Sequence, residues 1–356
     1  MKRLLALVLV SVALFPTIVI AQKSGFGETK QLQSPQTPRL GFILHGGAGT
    51  ITKGSMTPEK EKEFRDALTA AITAGYKALQ EGKSSLDAIE IAIRMMEDSP
   101  LFNAGKGAVF TNDGRNELDA SIMNGKTLAA GAVAGLHKVK NPITLARAVM
   151  EKSPHVMMVG DGAEKFALMQ KIELVDEKYF WTQHRWDGLQ RVLKEEKEAE
   201  EKAKKPGTIS STSASSEPEN RFGTVGAVAL DKNGDIAAGT STGGMTNKRY
   251  GRVGDAPIIG AGTYASNDTC GVSATGWGEM FIRVGVARDI AAMMEYRGLP
   301  IQQAADLVMK KVEKLGGDGG VVAMDKFGNM AISFNSEGMY RAYIDVNGKP
   351  VVEIYK

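Results

Sequence analysis

The chain has 356 residues, of which 43% are hydrophobic and 24% charged, ordinary values for a globular protein with a sizeable core. Its formal net charge is +3 and falls to +1 without residues 1–21, which carry two basic residues and no acid. A nearly neutral body gives no electrostatic case for binding nucleic acid or a membrane surface. Cys270 is the only cysteine, which excludes an intrachain disulfide and thiolate zinc sites, and we expect it to be a buried small hydrophobe.

The first segment, "MKRLLALVLVSVALFPTIVIAQ", has the pattern of a secretory signal peptide. Lys2 and Arg3 precede an apolar run, and the small residues Val19 and Ala21 stand before Gln22. The run is short and contains a proline, which argues against a retained membrane helix, and no cysteine offers a lipid attachment point. We therefore expect cleavage after residue 21 and a periplasmic or secreted protein. The polar residues 22–38 are predicted to be a flexible lead-in.

The first half of the mature chain predicts a strand at 41–44, helices and hairpins. Thr57 followed by Pro58 is a helix start, and a second helix begins near Ser85 and stops at Pro100. Turn pairs predict hairpin strands between residues 101 and 136, the last of them fully buried. Helical patterns follow at residues 142–152 and 161–170.

The second half is divided from the first by a charged helix tail that fades into a Ser/Pro-rich stretch, predicted to be a flexible linker at 195–222. Beyond it, residues 227–245 and 321–339 form an approximate repeat, each a hairpin around an Asp-Lys-x-Gly turn. Between the repeats lies a predicted pair of helices at 278–298 and 301–316. Hairpins interleaved with helices predict sheets covered by helices.

Several catalytic templates fail on inspection. "GTSTG" at 239–243 matches the nucleophile elbow of α/β-hydrolases, but all four histidines precede Ser241 in the chain. "NGKT" at 124–127 lacks the first glycine of a phosphate-binding loop, since Ala120 stands there. No pair of histidines has the spacing of metal ligands. Catalysis therefore has to use hydroxyls, carboxylates, arginine and backbone amides.

Thr224 stands where the linker runs directly into a core strand, "RFGTVGAVALDKNG". If the chain were cut after Gly223, the new α-amino group, with a pKa of roughly 7.7–8.0, would be a base beside the Thr224 hydroxyl. Gly223 removes side-chain bulk at the cut, and a flexible segment before it could move away. Most threonines in such positions merely start a strand, and residue types alone favour that simpler interpretation.

Ordered motifs throughout the chain resolve this choice. "HGGAGTI", "DSPLFNAGKGAVFTNDGRNELDASIMNGKTLAAGAVAGL", "NRFGTVGAVALDKNGDIAAGTSTGGMTNKRYGRVGDAPIIGAGTYA" and "VSATGWGEMFIR" closely resemble the plant-type asparaginase/isoaspartyl peptidase family of N-terminal-nucleophile (Ntn) hydrolases. The similarity spans about residues 40–180 and 222–345. It implies an α+β fold, an αββα sandwich of two mainly antiparallel sheets between helix layers. It also implies one domain, cleaved between Gly223 and Thr224 into an α chain, 22–223, and a β chain, 224–356.

The resemblance assigns roles to residues around the junction. Thr224 would be the nucleophile, and Thr242 would hydrogen-bond to the new N-terminal group. Arg252 and Asp255 would hold the α-carboxylate and α-ammonium of the substrate, as the chemistry of a guanidinium fork and a carboxylate allows. The alternative for these last two is an ion pair with each other at the surface.

Further positions complete the implied site. Thr275 and Gly276 would form the oxyanion hole, although "ATGWG" could equally be a turn that caps a helix. Asn103 would position the nucleophile or assist cleavage, with a simple turn asparagine as the alternative. His45 is expected to be structural rather than catalytic. Trp277 departs from the family pattern, because a small hydroxyl residue is often found at that position, and it leaves the preferred substrate open.

The resemblance implies no cofactor for catalysis. It implies a structural sodium ion bound by backbone carbonyl groups in the loop 96–106, through Met96, Glu97, Ser99, Phe102, Ala104 and Lys106. It also implies a heterotetramer made of two αβ units. The expected activity is hydrolysis of β-aspartyl (isoaspartyl) dipeptides and L-asparagine to release L-aspartate. The alternatives are a glycosylasparaginase and a non-catalytic periplasmic protein that binds an aspartyl ligand.

Overall fold

The computed structural model describes residues 32–203 and 223–356 as one uncleaved chain. The predicted signal peptide and residues 204–222 of the predicted linker lie outside these ranges. The strands are β1 (Leu32–Gln33), β2 (Gly41–Gly49), β3 (Leu118–Asn124), β4 (Ala130–Leu136), β5 (Met157–Val159), β6 (Val225–Leu230), β7 (Ile236–Thr242), β8 (Thr263–Ala265), β9 (Cys270–Gly276), β10 (Gly319–Asp325), β11 (Asn329–Phe334), β12 (Gly338–Ile344) and β13 (Pro350–Tyr355). The helices are α1 (Pro58–Gln80), α2 (Ser85–Glu97), α3 (Pro142–Lys152), α4 (Gly160–Met169), α5 (Gln183–Ala203), α6 (Gly278–Val284), α7 (Val286–Arg297) and α8 (Ile301–Lys314).

The strands form two sheets that lie face to face between layers of helices. An eight-stranded sheet has the order β13-β12-β2-β6-β7-β3-β4-β5, and a five-stranded sheet has the order β1-β11-β10-β9-β8. All pairings are antiparallel except that of β4 with β5. Helices α1, α2 and α3 pack on the larger sheet, and α7 and α8 on the smaller one. The αββα sandwich predicted from the family resemblance is confirmed.

Each interface between layers has its own apolar core. Leu68, Ile89 and Ile93 lie in the core beneath α1 and α2, and Ile290 and Val308 lie in the core beneath α7 and α8. A third core fills the space between the sheets and contains residues from both of them, including Ile43, Val228, Val322 and Met330. Cys270, in the core of the smaller sheet, is fully buried as expected.

The predicted helix starts are confirmed by their caps. The Thr57 hydroxyl accepts a hydrogen bond from the Lys60 backbone at 3.2 Å, and Pro58 occupies the first turn of α1. Ser84 and Asp87 form a reciprocal capping box at the start of α2. Helix α3 has the predicted bounds, 142–152. Within the described residues, no helix combines the length and apolar character needed to cross a bilayer.

Two predictions of flexible segments are partly wrong. Residues 32–38 are not a loose lead-in throughout, because β1 pairs with β11 and Leu32 lies opposite Met330. Residues 195–203 continue helix α5 instead of beginning the linker. The helix is held there by Glu196, whose carboxylate accepts hydrogen bonds from Asn247 and Arg249 at 2.7 Å. Composition could not show these partners, which lie about 50 residues away along the chain.

The predicted helix at 278–298 is two helices, α6 and α7. Gly285 separates them with a φ of +67°, a left-handed conformation that favours glycine. Its N–H donates to the carbonyl groups of Phe281 and Ile282, which ends α6 before α7 begins. The short α6 follows directly after the "ATGWG" segment and fixes the direction in which that segment leaves β9.

Candidate active site at the start of strand β6

Thr224 lies immediately before β6, a strand whose six residues are all buried. Its side chain is 7% exposed, and its Oγ1 donates a hydrogen bond to Oγ1 of Thr242 at 3.0 Å. Thr242 ends the neighbouring strand β7, and its Oγ1 also accepts from the Gly244 backbone N–H at 3.0 Å. The antiparallel pairing of β6 with β7 brings the two hydroxyls together, although they are 18 residues apart.

The carbonyl group of Gly223, which precedes Thr224, is held by a backbone donor. The N–H of Asn103 donates to its oxygen at 3.1 Å. The Asn103 side chain is locked on both sides, with Oδ1 accepting from Val109 N–H at 2.9 Å and Nδ2 donating to the Gly244 carbonyl at 2.8 Å. Asn103 is therefore more than a turn residue, because its backbone N–H is held in place as a donor to the carbonyl group that precedes Thr224.

Two glycines pack tightly around this carbonyl. Gly47 has a φ of +116°, and a Cβ there would lie 2.7 Å from the Cα of Gly223. A Cβ on Gly223 would lie 3.0 Å from the Cβ of Asn103. The absence of side-chain bulk expected at Gly223 thus has a steric cause, because the end of β2 and Asn103 pack against the junction.

His45 contacts the same junction from β2. Its Nδ1 donates to the Thr224 carbonyl oxygen at 3.0 Å, and its Nε2 lies 2.9 Å from the Ser273 hydroxyl. Burial lowers the pKa of His45 to about 3, despite the opposing hydrogen bond to Thr224, so the ring is neutral at physiological pH. The imidazole contacts the backbone of Thr224 and not its hydroxyl, as the structural role expected for His45 requires.

Strand β9 of the smaller sheet faces β6 of the larger sheet next to this junction. A Cβ on Gly271 would meet the side chain of Val228 at 2.5 Å, and a Cβ on Gly226 would meet the Ser273 hydroxyl at 2.0 Å. Thr275 lies two residues beyond Ser273, and Thr224 lies two residues before Gly226. Both threonines therefore lie at the same end of the two facing strands, since alternate residues share a face.

The hydroxyl of Thr275 is buried and has no hydrogen-bond partner among the described residues. Gly276 follows with a φ of +152°, and a Cβ there would lie 2.4 Å from the Asp318 carbonyl oxygen. A buried hydroxyl without a partner costs free energy, roughly 1–3 kcal/mol, unless a ligand satisfies it. The pair has the chemistry expected of an oxyanion hole, namely a hydroxyl donor followed by a backbone amide.

Arg252 pairs with Glu279 and not with Asp255. Its Nε and Nη2 donate to the two carboxylate oxygens of Glu279 at 2.8 and 2.7 Å. Nη1 has no protein partner among the described residues, and the side chain is 16% exposed. The alternative of an Arg252–Asp255 surface pair is therefore wrong. The sequence analysis did not identify Glu279 as a site residue. The sequence feature that could have indicated it is an acidic residue in the first turn of the helix that follows the site segment "ATGWG".

Asp255 is a buried carboxylate with an unsatisfied oxygen. Its side chain is 5% exposed, and its Oδ2 has no hydrogen-bond partner in the described part of the chain. Burial raises the pKa of Asp255 to about 7, against the lowering influence of its own backbone N–H and of Arg252. A Cβ on Gly278 would lie 3.0 Å from Asp255 Oδ1 and 2.8 Å from Arg252 Nη2. The segment after the oxyanion pair thus lies against both charged side chains.

Trp277 caps α6 without a side-chain hydrogen bond to the helix. Its backbone N–H donates to the Asp318 carbonyl at 3.0 Å, and its side chain helps to lower the pKa of Glu279. Trp277 thus lies two residues before Glu279, the carboxylate that pairs with Arg252.

The loop expected to bind sodium is tightly folded, with backbone carbonyl oxygens close to two of its glycines. Gly105, at a φ of +50°, lies so close to Glu97 that a Cβ would be 2.2 Å from its carbonyl oxygen. A Cβ on Gly107 would be 2.0 Å from the Phe102 carbonyl oxygen and 2.9 Å from that of Pro100. Glu97 and Phe102 belong to the predicted ligand set and Pro100 does not, and neutral carbonyl oxygens are the kind of ligand that hard cations take. No cluster of three or more metal-ligating side chains occurs in residues 32–203 and 223–356.

Comparison with known proteins agrees with this site. The family model described as "Asparaginase" matches residues 38–354. A protein of Escherichia coli (strain K12) named "Isoaspartyl peptidase" is 48% identical over 316 residues, covering 88% of this chain and 96% of that protein. An Arabidopsis thaliana protein named "Probable isoaspartyl peptidase/L-asparaginase 2" is 42% identical over 329 residues, covering 88% and 98%.

A similar match comes from an archaeon. The "Plant-type L-asparaginase" of Pyrococcus furiosus is 42% identical over 307 residues, covering 86% of this chain and 96% of that protein. These relatives from a bacterium, a plant and an archaeon thus align along almost their whole length, and the family match contains every site residue described above. The chain belongs to the asparaginase family whose members include these isoaspartyl peptidases and plant-type L-asparaginases.

Proposed function

We propose that the protein is an autoprocessed threonine amidohydrolase that releases L-aspartate from β-aspartyl dipeptides and from L-asparagine. The observation that carries the proposal is the junction itself. The Thr224 hydroxyl lies 3.0 Å from Thr242 Oγ1, and the preceding carbonyl oxygen accepts from the Asn103 N–H at 3.1 Å. The names of the relatives support the same substrates.

Self-cleavage would begin with attack of Thr224 Oγ1 on the carbonyl carbon of Gly223. Negative charge would develop on the oxygen that the Asn103 N–H already contacts, so this donor needs no reorganisation. Collapse of the intermediate transfers the acyl group from nitrogen to oxygen, and water then hydrolyses the ester. The products are a new carboxylate on Gly223 and a free α-amine on Thr224.

The mature enzyme would use that amine as the base for its own hydroxyl. Asp255 would pair with the substrate α-ammonium, and Nη1 of Arg252 would bind the α-carboxylate while Glu279 holds the guanidinium in place. Thr224 attacks the side-chain acyl carbon, Thr275 and Gly276 stabilise the oxyanion, and the leaving amine takes the proton. Water then releases L-aspartate from the ester.

Further proposals concern the environment of the enzyme. The amino-terminal pattern supports a cleaved signal peptide and a periplasmic or secreted location. The crowded carbonyl groups of the loop 96–106 support a structural sodium ion, which would stiffen the loop that carries Asn103 and take no part in the reaction. The family resemblance supports a heterotetramer of two αβ units.

Denaturing electrophoresis with N-terminal sequencing tests the proposal. We expect two chains from aged protein, with the smaller beginning Thr-Val-Gly-Ala, together with release of aspartate from both substrates. Thr224→Ala should remain one chain and should not hydrolyse either substrate. Thr224→Ser should retain part of the self-cleavage and part of the hydrolysis. An uncleaved wild-type chain that hydrolyses these substrates would show that the mechanism is wrong.

The same preparation tests the alternatives. Faster hydrolysis of a glycosylated asparagine than of β-aspartyl dipeptides would favour a glycosylasparaginase. Retention of aspartyl-ligand binding without any hydrolysis by the cleaved wild type would favour a binding protein.

A further inference from the structure

A cavity separate from the active site borders Gly223 and is lined mainly by residues of the predicted α chain. Its volume is about 740 Å³, within the range of roughly 300–1,000 Å³ common for ligand pockets. The loop after β2, the start of α1 and the start of α5 form its walls, and Asn103 lies in its lining with Gly223. None of Arg252, Asp255, Thr275 and Gly276 lines it, so it is distinct from the part of the site that would hold the aspartyl group.

The charge of this cavity is positive. Lys60 and Arg185 line it, and no aspartate or glutamate does so among the described residues. Lys60 is paired with Glu63 at 2.9 Å on an exposed face. Arg185 donates through Nε to the Gly107 carbonyl at 2.8 Å, and no carboxylate of the described chain pairs with it. Burial lowers its pKa to about 10, which leaves it charged at neutral pH.

A second wall of the cavity is apolar. The rings of Phe64 and Tyr340 stack at 4.3 Å between centroids with an angle of 14° between their planes. The Tyr340 hydroxyl donates to Met56 Sδ at 3.2 Å, and Ile51 completes this wall. A ligand with one carboxylate and one apolar group would satisfy both walls.

We propose that this cavity binds the departing amino acid of a β-aspartyl dipeptide, with its α-carboxylate on Arg185 and its side chain against Phe64 and Tyr340. The inference rests on the proposed function. The aspartyl group would be held by residues outside the cavity, and the proposal places the leaving nitrogen on the side of Thr224 where Gly223 borders the cavity. When that carbon–nitrogen bond breaks, the amine takes the proton held by Thr224 and the free amino acid remains in the cavity.

Asparagine gives ammonia as its leaving group and cannot use the cavity. The ratio of kcat/KM for a dipeptide to kcat/KM for asparagine therefore measures the subsite, and it is independent of the processed fraction of enzyme. The substrates are β-aspartyl-leucine, the same dipeptide with its C-terminal carboxylate replaced by an amide, and L-asparagine. The variant is Arg185→Met, and the matched control is Lys194→Met on the exposed face of the same helix α5.

Arg185→Met should lower the dipeptide-to-asparagine ratio at least about tenfold, mainly through KM, because a charge-assisted hydrogen bond is lost. The ratio of kcat/KM for the dipeptide amide to kcat/KM for asparagine should stay within about twofold of the wild-type value. Arg185→Lys should recover part of the dipeptide activity that Arg185→Met loses. Lys194→Met should behave as the wild type. An unchanged dipeptide-to-asparagine ratio, or an equal loss on the dipeptide and its amide, overturns the subsite. A cleaved wild type that hydrolyses none of the three substrates instead shows that the proposed function is wrong.

Discussion

The backbone N–H of Asn103 donates to the carbonyl oxygen of Gly223 at 3.1 Å, and the two residues are 120 positions apart in the chain. The contact lies on the one carbonyl that self-cleavage at Thr224 would attack. The intact chain therefore carries a preformed donor for the charge that cleavage would develop.

Substitution of Asn103 tests this donor through its supports. Asn103→Ala removes the side-chain hydrogen bonds to Val109 and Gly244 that fix the peptide plane. We expect self-cleavage to slow by about 10–100-fold, because a misdirected donor loses much of its effect. A denaturing-gel time course measures the rate, with Asn347→Ala, in an exposed turn, as the control. Cleavage at the wild-type rate would show that the donor is unimportant.

Thr242 should affect the chemical step more than folding. Thr242→Val keeps the shape of the side chain but removes the oxygen that accepts from the Thr224 hydroxyl. We expect kcat to fall by about 10²–10³ and Thr242→Ser to keep most activity, since the oxygen is retained. Steady-state kinetics on processed enzyme measures both variants. Equal losses in the two would point to packing of the methyl group as the cause.

Replacement of Thr275 by valine is expected to raise the stability of the protein and to lower its activity. Thr275→Val replaces a buried hydroxyl that has no partner among the described residues, so the free energy of unfolding should rise by about 1 kcal/mol. The value of kcat should fall by about 10–10³, because an oxyanion donor is lost. Denaturant unfolding and kinetics on the same preparation measure the two effects. A variant that loses stability and activity together would contradict the assignment.

Asp255 should give the activity a dependence on pH near neutrality. Its pKa is raised to about 7, so the carboxyl gains a proton as the pH falls below that value and can no longer pair with an α-ammonium. The Thr224 amine, with a pKa of roughly 7.7–8.0, also gains a proton in this direction. The acid limb of log kcat/KM against pH should therefore have a slope of about two.

The variant that tests this assignment is Asp255→Asn, because the asparagine side chain cannot ionise. We expect kcat/KM at pH 8 to fall by about 10²-fold, because the paired charge is lost, and the acid limb to keep a slope of about one. Asp268→Asn, in a turn outside the site, serves as the control. An acid limb that is identical in Asp255→Asn and the wild type would assign the ionisation to another group.

Local sequence patterns predicted much of the fold because they report short-range physics. The cap at Thr57, the start of a helix near Ser85, the hairpin turns and the buried β6 follow from spacing within a few residues, and the structure confirms them. The split at Gly285 was missed because the apolar spacing of a helix continues across that glycine. The helical residues 195–203 were missed because Glu196 is held by distant partners.

The amino-acid sequence alone established which residues are candidates for the active site. The abrupt junction at Thr224, the absence of usable histidines and the ordered family motifs required no coordinates. Only the tertiary structure decided that Arg252 is held by Glu279, that Asn103 contacts the Gly223 carbonyl and that β9 faces β6 beside the junction at Thr224. Such contacts depend on how two sheets and their loops pack, and no pattern of neighbouring residues encodes the distance between side chains far apart in the chain.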